Sequence, residues 1–409
     1  MRILIDCSNY FLDNENHGDR AIYQVMVRRL TTMWPAATIH FITLDPDLIE
    51  RNCPGVRPLV LTERHNWEMF PAALVRRSRS RRGVFLGGLR LQPRCRALCH
   101  TYPPHDIQRF AKTLREADLV MATGGGYFSD CFAKHAEGLL DTLQGGLYFG
   151  KPTVLMGGGF EPVQDAGLQA KARAVLPCLD LISCREHVTG PALLRDMGVP
   201  NERVLVTGDD AVELAFDARP PKLGTGLGVN VRQSSYAEIN DGVVEPLCAA
   251  LREAIRKYHA PLVPVPISLF GPSDPVSIAK VLARCGVAED GRDPPRTPLE
   301  AVQHVGRCRV VVTGSYHAAV FALSQGIPVV AFGKSLHYDT KLRGVAAQFG
   351  RGCTVLGAGN PDFQAALQAA IEQAWETAEE VRPRLLEAAR QQIDAGWRAY
   401  RRVSQIVDA

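Results

Sequence analysis

His317 follows the β-branched run Val310-Val311-Val312 and a short polar break, Thr313-Gly314-Ser315-Tyr316. An unbroken run of this kind predicts a strand buried on both faces. Ala318 to Ser324 predicts a helix, Gly326 ends it, and Ile327 to Phe332 predicts the next strand. His317 therefore stands on the first turn of a helix, at the carboxyl end of a parallel strand, where open sheets bind ligands. Free N–H groups and a partial positive charge at a helix start stabilise an anion. An imidazole there can also move a proton near neutral pH. Ser315 and Tyr316 share its turn, and Lys334, Lys341 and Arg343 follow with positive charge. A lone histidine is about as often a satisfied capping or core residue. Its place at a strand end and the cations after it favour the functional reading.

Asp19 and Asn16 form a second candidate group. They sit in Asn16-His17-Gly18-Asp19-Arg20, just before a one-sided apolar stripe of Ile22, Met26, Val27 and Leu30. A carboxylate there can cap a helix, or be carried to the ligand edge of the sheet. Gly124-Gly125-Gly126 after the strand Ala117–Thr123, and Gly157-Gly158-Gly159 after Lys151–Met156, predict two sharp turns. Two strand–glycine–aromatic units predict adjacent parallel strands whose loops converge on one crevice. The spacing is not Gly-x-Gly-x-x-Gly and no Lys-Ser/Thr pair follows, so dinucleotide and P-loop readings are weak. Asp209-Asp210 is read as a cap for the following helix in preference to a metal pair.

Helices and strands alternate throughout, which predicts an α/β fold with parallel sheets. A chain of 409 residues is long for a single core. The polar, Pro- and Gly-rich stretch 218–226 is the best linker. It divides an N-terminal domain, 1–217, from a C-terminal domain, 227–360, followed by helices over 361–409. Arg232 ends the first strand of the second domain.

Composition excludes several classes. With 46% hydrophobic and 22% charged residues the chain is an ordinary globular one, and a net charge of +4 is too small to argue for nucleic acid. No apolar run approaches a membrane span and no leader is visible, so a cytoplasmic location is expected. Cys7, Cys178, Cys184 and Cys308 look like core fillers. Cys95, Cys99 and His100 lack a second pair, so no metal site is expected. Eight arginines between Arg76 and Arg96 are a solvated surface or a basic patch for an anionic acceptor or the inner face of a membrane.

These stretches together resemble the polysaccharide pyruvyl transferase family. The matching features are Asn16-x-Gly18-Asp19 with Ala21-Ile22, Gly124-Gly125-Gly126 with Asp130, and Lys151-Pro152 with its strand. Ser183-Cys184-Arg185-Glu186, Val206-Thr207-x-Asp209, the strand ending at Arg232, and Gly314-x-x-His317-Ala318 also match. The resemblance covers roughly residues 1–350. It implies two Rossmann-like domains facing across a cleft, similar to GT-B glycosyltransferases, with the acceptor on the N-terminal side and the donor on the other. It implies phosphoenolpyruvate as co-substrate, a saccharide or lipid-linked saccharide as acceptor, a pyruvate ketal as product, and no cofactor.

On that basis His317 is expected to move the proton and Asp19 to orient or deprotonate the acceptor. Arg232, Ser315, Tyr316, Lys334, Lys341 and Arg343 would hold the donor. Asn16, Gly124, Gly125, Gly126 and Gly158 would line the acceptor side. One position departs from the family: an arginine usually stands two residues before the histidine, where this chain has Ser315. Lys334, Lys341 or Arg343 would have to supply that charge. Competing readings are a GT-B glycosyltransferase using a nucleotide sugar, and a repurposed or non-catalytic family member. Loops 8–16, 64–102 and 126–135 are expected to shape the acceptor pocket.

Overall fold

Alternating aliphatic strands and amphipathic helices build two parallel sheets, each covered by helices. The computed structural model describes residues 1–7, 16–61, 104–233, 237–270, 273–288 and 293–409. The first sheet contains β1 (Arg2–Asp6), β2 (Thr38–Thr43), β3 (Arg57–Val60), β4 (Leu119–Ala122), β5 (Gly125–Phe128), β6 (Thr153–Phe160), β7 (Leu181–Cys184) and β8 (Val204–Val206). Their order is β3-β2-β1-β4-β6-β7-β8, with β5 also pairing on β6. The second sheet contains β9 (Gly226–Asn230), β10 (Leu262–Pro264), β11 (Cys308–Thr313), β12 (Val329–Gly333) and β13 (Cys353–Gly357), in the order β10-β9-β11-β12-β13.

The strand pairings of both sheets are parallel. Parallel neighbours need a crossover, which helices supply while covering the faces. Hence β6 and β12 are buried at every position, and the strands read as continuous apolar or small-residue runs. The fold is α/β with two Rossmann-like domains, as the alternation predicts.

The glycine runs depart from expectation. They are not turns. Gly125 and Gly126 lie in β5, Gly157, Gly158 and Gly159 lie inside β6, and Gly125 pairs with Gly158. A Cβ on Gly124 would stand 2.2 Å from the Gly157 carbonyl oxygen, so two bare backbones meet there. Gly157 has φ +70°, a conformation glycine adopts without strain. The strands that carry the runs do stand side by side, since β4 pairs with β6.

The last helix, Ala378–Val407, places Ala399, Tyr400 and Val403 in one core with Ile3, Phe41 and Met121 of the first sheet. The helix before it, Phe363–Glu376, packs on the second sheet beside Leu227 and Val330. A buried charge cluster ties this arrangement together. The guanidinium of Arg29, on the helix His17–Met33, lies 2.6 Å from Asp210 and donates to Glu213 from Nε at 2.7 Å. Tyr400 donates to the other oxygen of Asp210 at 2.9 Å, and the Arg29 guanidinium stacks at 5.1 Å over the Tyr400 ring. A Cβ on Gly396 would reach within 2.6 Å of Arg29, so the last helix can approach only without one.

A buried ion pair broken on one side leaves an uncompensated charge. Arg29→Met should therefore cost about 3–5 kcal/mol in urea unfolding. Arg28→Met removes a partner of Glu213 whose side chain is 42% exposed, and should cost less than about 1 kcal/mol. Equal costs would show that the Arg29 cluster does not hold the last helix.

Candidate active site

Four elements bring chemistry to the junction of the two domains: the start of the helix His17–Met33, the ends of β6, β7 and β8, the start of the helix Tyr316–Ser324, and the helix Leu336–Phe349. The first is pinned across the junction. The His17 N–H donates to the Ile267 carbonyl at 2.9 Å, and Asn16 bridges Ser268. His17 Nε2 lies 2.8 Å from the Pro295 carbonyl. A carbonyl only accepts, so Nε2 carries the proton. Burial, with Arg20 nearby, pushes the His17 pKa down to about 4, which keeps the ring neutral near pH 7.

His317 is buried on the first turn of its helix, as its sequence context predicts. A Cβ on Gly18 would fall 2.0 Å from His317 Cγ and Nδ1, so the backbone of the first helix lies against the imidazole. His317 Nε2 points across the junction to Asp209 Oδ2 at 3.7 Å. That is a charge–charge distance, longer than a hydrogen bond, and both atoms are buried with no hydrogen-bond partner among the described residues. Burial works against the Asp209 carboxylate, but His317, Arg185 and the Ala211 N–H prevail and hold its pKa below the ordinary range.

Arg185 is the cation at the centre of the site. It follows β7, its Nη1 lies 3.8 Å from Asp209 Oδ2, and its guanidinium covers the Tyr316 ring at 4.0 Å. Cβ atoms on Gly159 and Gly126 would stand 2.4 Å and 2.8 Å from Arg185. The glycines of β5 and β6 thus make room for a guanidinium. Burial with Asp209 and Glu186 nearby raises the Tyr316 hydroxyl pKa well above its usual value, although Arg185 opposes this, so it stays protonated.

A third group lies beside this one. Lys341 Nζ is 2.6 Å from His337 Nε2, and His337 Nδ1 is 2.5 Å from Glu161 Oε2. Lys341 Nζ also lies 3.6 Å from Glu161 Oε1 and 5.7 Å from the centre of the Phe132 ring. Burial and the nearby Arg185 charge push the Lys341 pKa down to about 8, against the pull of Glu161 and Asp19.

The other expected residues divide. Asp19 is half-buried and close enough to act electrostatically on Lys341. Asn16 is a cap: its side-chain oxygen accepts from the N–H of Gly18 at 2.9 Å and of Asp19 at 3.4 Å. Gly126 faces Lys341 and Arg185, whereas Gly124 packs on Gly157, Gly125 beside Tyr127, and Gly158 on Leu155 and Phe160. Those three are packing positions.

Arg232 is buried and paired with Asp274 at 3.2 Å. The other Asp274 oxygen accepts from the Asn230 side chain and the N–H groups of Ile267 and Ser268, each at 2.9 Å. Ser315 makes no side-chain cap; its N–H donates to Thr313 Oγ1 at 2.8 Å. Lys334 is exposed. Arg343 is 59% exposed and paired with Asp339 one turn back on its own helix. A helix repeats every 3.6 residues, so Lys341 and Arg343 leave it in different directions.

The expected Asp209 cap is half of what that residue does. Oδ1 accepts from the Ala211 N–H at 2.9 Å while Oδ2 faces His317, and Asp210 is taken by Arg29. Arg185, Glu161 and His337 were not singled out from the sequence as site residues. Arg185 stood within a matching motif, but Glu161 and His337 meet only through tertiary contact. Among the described residues no group of three His, Cys, Asp or Glu could hold a metal ion, and no helix is long and apolar enough to cross a membrane. Arg76–Arg96, Cys95, Cys99 and His100 lie outside the described residues. Cys184 and Cys308 are buried core residues, while Cys7 and Cys178 are only partly covered. Cavities of about 500 and 370 Å³ open elsewhere, beside Arg20 and Pro295 and at the amino ends of β1 and β3.

Two Rossmann-like domains that meet at a shared cleft define a GT-B-like protein. Solved structures share this fold. HepE of Anabaena, in complex with UDP, superposes with a TM-score of 0.56 at 12% identity, over 99% of each chain. A glycosyltransferase of Rickettsia africae gives 0.56 at 10% identity, over 99% of this chain and 98% of that one. UDP-GlcNAc 2-epimerase of Neisseria meningitidis, bound to UDP-GlcNAc, gives 0.53 at 12% identity, over 97% and 99%. No curated protein sequence matches this chain. The sequence pattern of the polysaccharide pyruvyl transferase family matches residues 16–335, and the chain belongs to that family.

The contact between Gly18 and His317 can be tested by a double-mutant cycle. Gly18→Ala should cost about 1–3 kcal/mol in urea unfolding through overpacking. In a His317→Ala background that cost should fall, because Cγ and Nδ1 are gone. The same cost in both backgrounds would mean that the ring does not lie on Gly18.

Proposed function

We propose that this protein transfers the pyruvyl group of phosphoenolpyruvate to two hydroxyls of a saccharide, forming a ketal and releasing phosphate. The observation that carries this reading is the set His317, Asp209 and Arg185, assembled from both domains at a helix start. Phosphoenolpyruvate has a carboxylate and a phosphate, so its site needs fixed cations and N–H donors. Arg185 cannot lose its charge, and its place beside Tyr316 compensates for the serine at 315. The helix start at Tyr316 adds backbone N–H groups, and Arg232 adds a second guanidinium from the end of β9.

His317 delivers a proton to the vinyl CH₂, which becomes the methyl group of the product. The positive charge left at C2 is attacked by one acceptor hydroxyl, whose proton is removed. The C2–O bond to phosphate then breaks and the second hydroxyl closes the ketal, giving up its own proton. Of the two protons lost by the acceptor, one replaces that given to the methyl group and the other leaves with phosphate. The Asp209 carboxylate faces Nε2 at 3.7 Å. Asp19 faces the acceptor side. A nucleotide-sugar transferase shares the fold, but a likeness at 10–12% identity carries the architecture and not the ligand.

The test is phosphate release and ketal formation from phosphoenolpyruvate, with methyl hexopyranosides as acceptors. His317→Ala should lower turnover by about 10²-fold or more with the circular dichroism unchanged. Arg185→Met should weaken phosphoenolpyruvate binding by about tenfold or more, read as a smaller thermal shift. Normal turnover without the imidazole would remove His317 from the chemistry. A thermal shift with UDP and none with phosphoenolpyruvate would point to the glycosyltransferase reading.

A further inference from the structure

Ketal formation needs two hydroxyl protons removed, and His317 begins as the proton donor. Glu161, His337 and Lys341 offer a separate route for a proton. A carboxylate at 2.5 Å from His337 Nδ1 can only accept, so Nδ1 carries the hydrogen of the neutral ring. His337 Nε2 is then a lone pair, and Lys341 Nζ donates to it at 2.6 Å. The ring is held neutral: burial depresses its pKa and Lys341 adds to this, against the pull of Glu161. The amine lies against Gly126 of β5 in the N-terminal domain and beside Phe132.

We propose that Lys341, backed by His337 and Glu161, is the base that takes the proton from an acceptor hydroxyl. This rests on the transfer reaction argued above. The O–H bond of the acceptor breaks, and its proton binds the uncharged Lys341 amine. The ammonium so formed donates to His337 Nε2, and Glu161 Oε1, 3.6 Å from Nζ, stabilises its charge. Lys341 is the catalytic group; His337 and Glu161 are positioning residues. The assignment reverses the expected donor-binding role of Lys341, because a base must be uncharged and a donor cation must be charged.

The two roles predict opposite pH dependence. Lys341 is faced by Glu161, Arg185, Asp19 and Cys131 from the N-terminal domain and by His337 from its own helix, and its pKa stands at about 8. A base at this position makes kcat/KM rise as pH rises through about 8, and a donor cation makes it fall.

The experiment uses the full chain with phosphoenolpyruvate and methyl hexopyranosides. Lys341→Arg keeps the charge but cannot give up a proton. It should retain the thermal shift with phosphoenolpyruvate and lose about 10²-fold or more in kcat. Acetylation of Lys341 against pH, followed by mass spectrometry, should show a midpoint near 8 in the unaltered protein. Glu161→Gln should move that midpoint down, since Glu161 favours the charged amine, a change that loss of packing alone does not produce.

Unaltered turnover in Lys341→Arg, or a rate that falls through pH 8, overturns the base role while leaving the transfer reaction in place. An acetylation midpoint at the ordinary lysine value of 10.5 also overturns it. If the unaltered protein releases no phosphate from phosphoenolpyruvate, the transfer reading and the base role fall together, whatever the amine's midpoint.

Discussion

A buried guanidinium constrains the whole cleft. Arg185 keeps its charge at any accessible pH, and a charge removed from water must be met by dipoles, carboxylates or an aromatic face. Asp209 supplies the carboxylate and Tyr316 the aromatic face, at 3.8 and 4.0 Å. The side chain also needs room to lie flat on a sheet edge. Gly126 and Gly159 provide it, because a Cβ at either position would occupy the same space. The glycine runs, the carboxylate after β8 and the tyrosine before His317 thus answer one requirement. An anionic substrate would be attracted to the same charge.

The site exists only when the two domains are together. His317, Tyr316, His337 and Lys341 come from the C-terminal half, and Asp209, Arg185, Glu161 and Gly18 from the N-terminal half. The contact is maintained in two places. At one, the start of the first helix reaches Ile267 and Ser268. At the other, Arg29, Asp210 and Glu213 join the first helix, the helix Ala211–Asp217 and the last helix through charge buried from water. Ala21 and Ile22 of the first helix also sit in a core with Val311 and Phe321 of the second domain. Apolar packing brings the halves together and polar contacts set their register.

The two sets of titratable groups in the cleft differ in their surroundings. His317 Nε2 faces the Asp209 carboxylate, which is held ionised, at 3.7 Å. Burial and the nearby Arg185 guanidinium favour the free amine of Lys341. Arg185 lies between them and acts on both, lowering the Asp209 and Lys341 pKa values. One cation thereby acts on the carboxylate that faces His317 and on the Lys341 amine.

The sequence by itself determined the α/β class, the parallel strands and the place of His317 on the first turn of a helix. These follow from local periodicity and from residues that start and stop elements, which act over short distances along the chain. It also determined the family, through motifs whose order survives even where one arginine is replaced by Ser315. Tertiary structure decided which charges meet. The glycine triplets read as turns because glycine permits them, but adjacent backbones and a guanidinium lying on them build all but Gly124 into β5 and β6. Folding shows that Asn16 caps a helix start and that Arg232 has Asp274 as a partner. Arg343, two residues from Lys341, points to solvent. Glu161 and His337 lie 176 residues apart and carry no shared pattern along the chain. Their contact arises only from closing two domains on each other, and burial at that contact is what turns an ordinary lysine into an amine that titrates near pH 8.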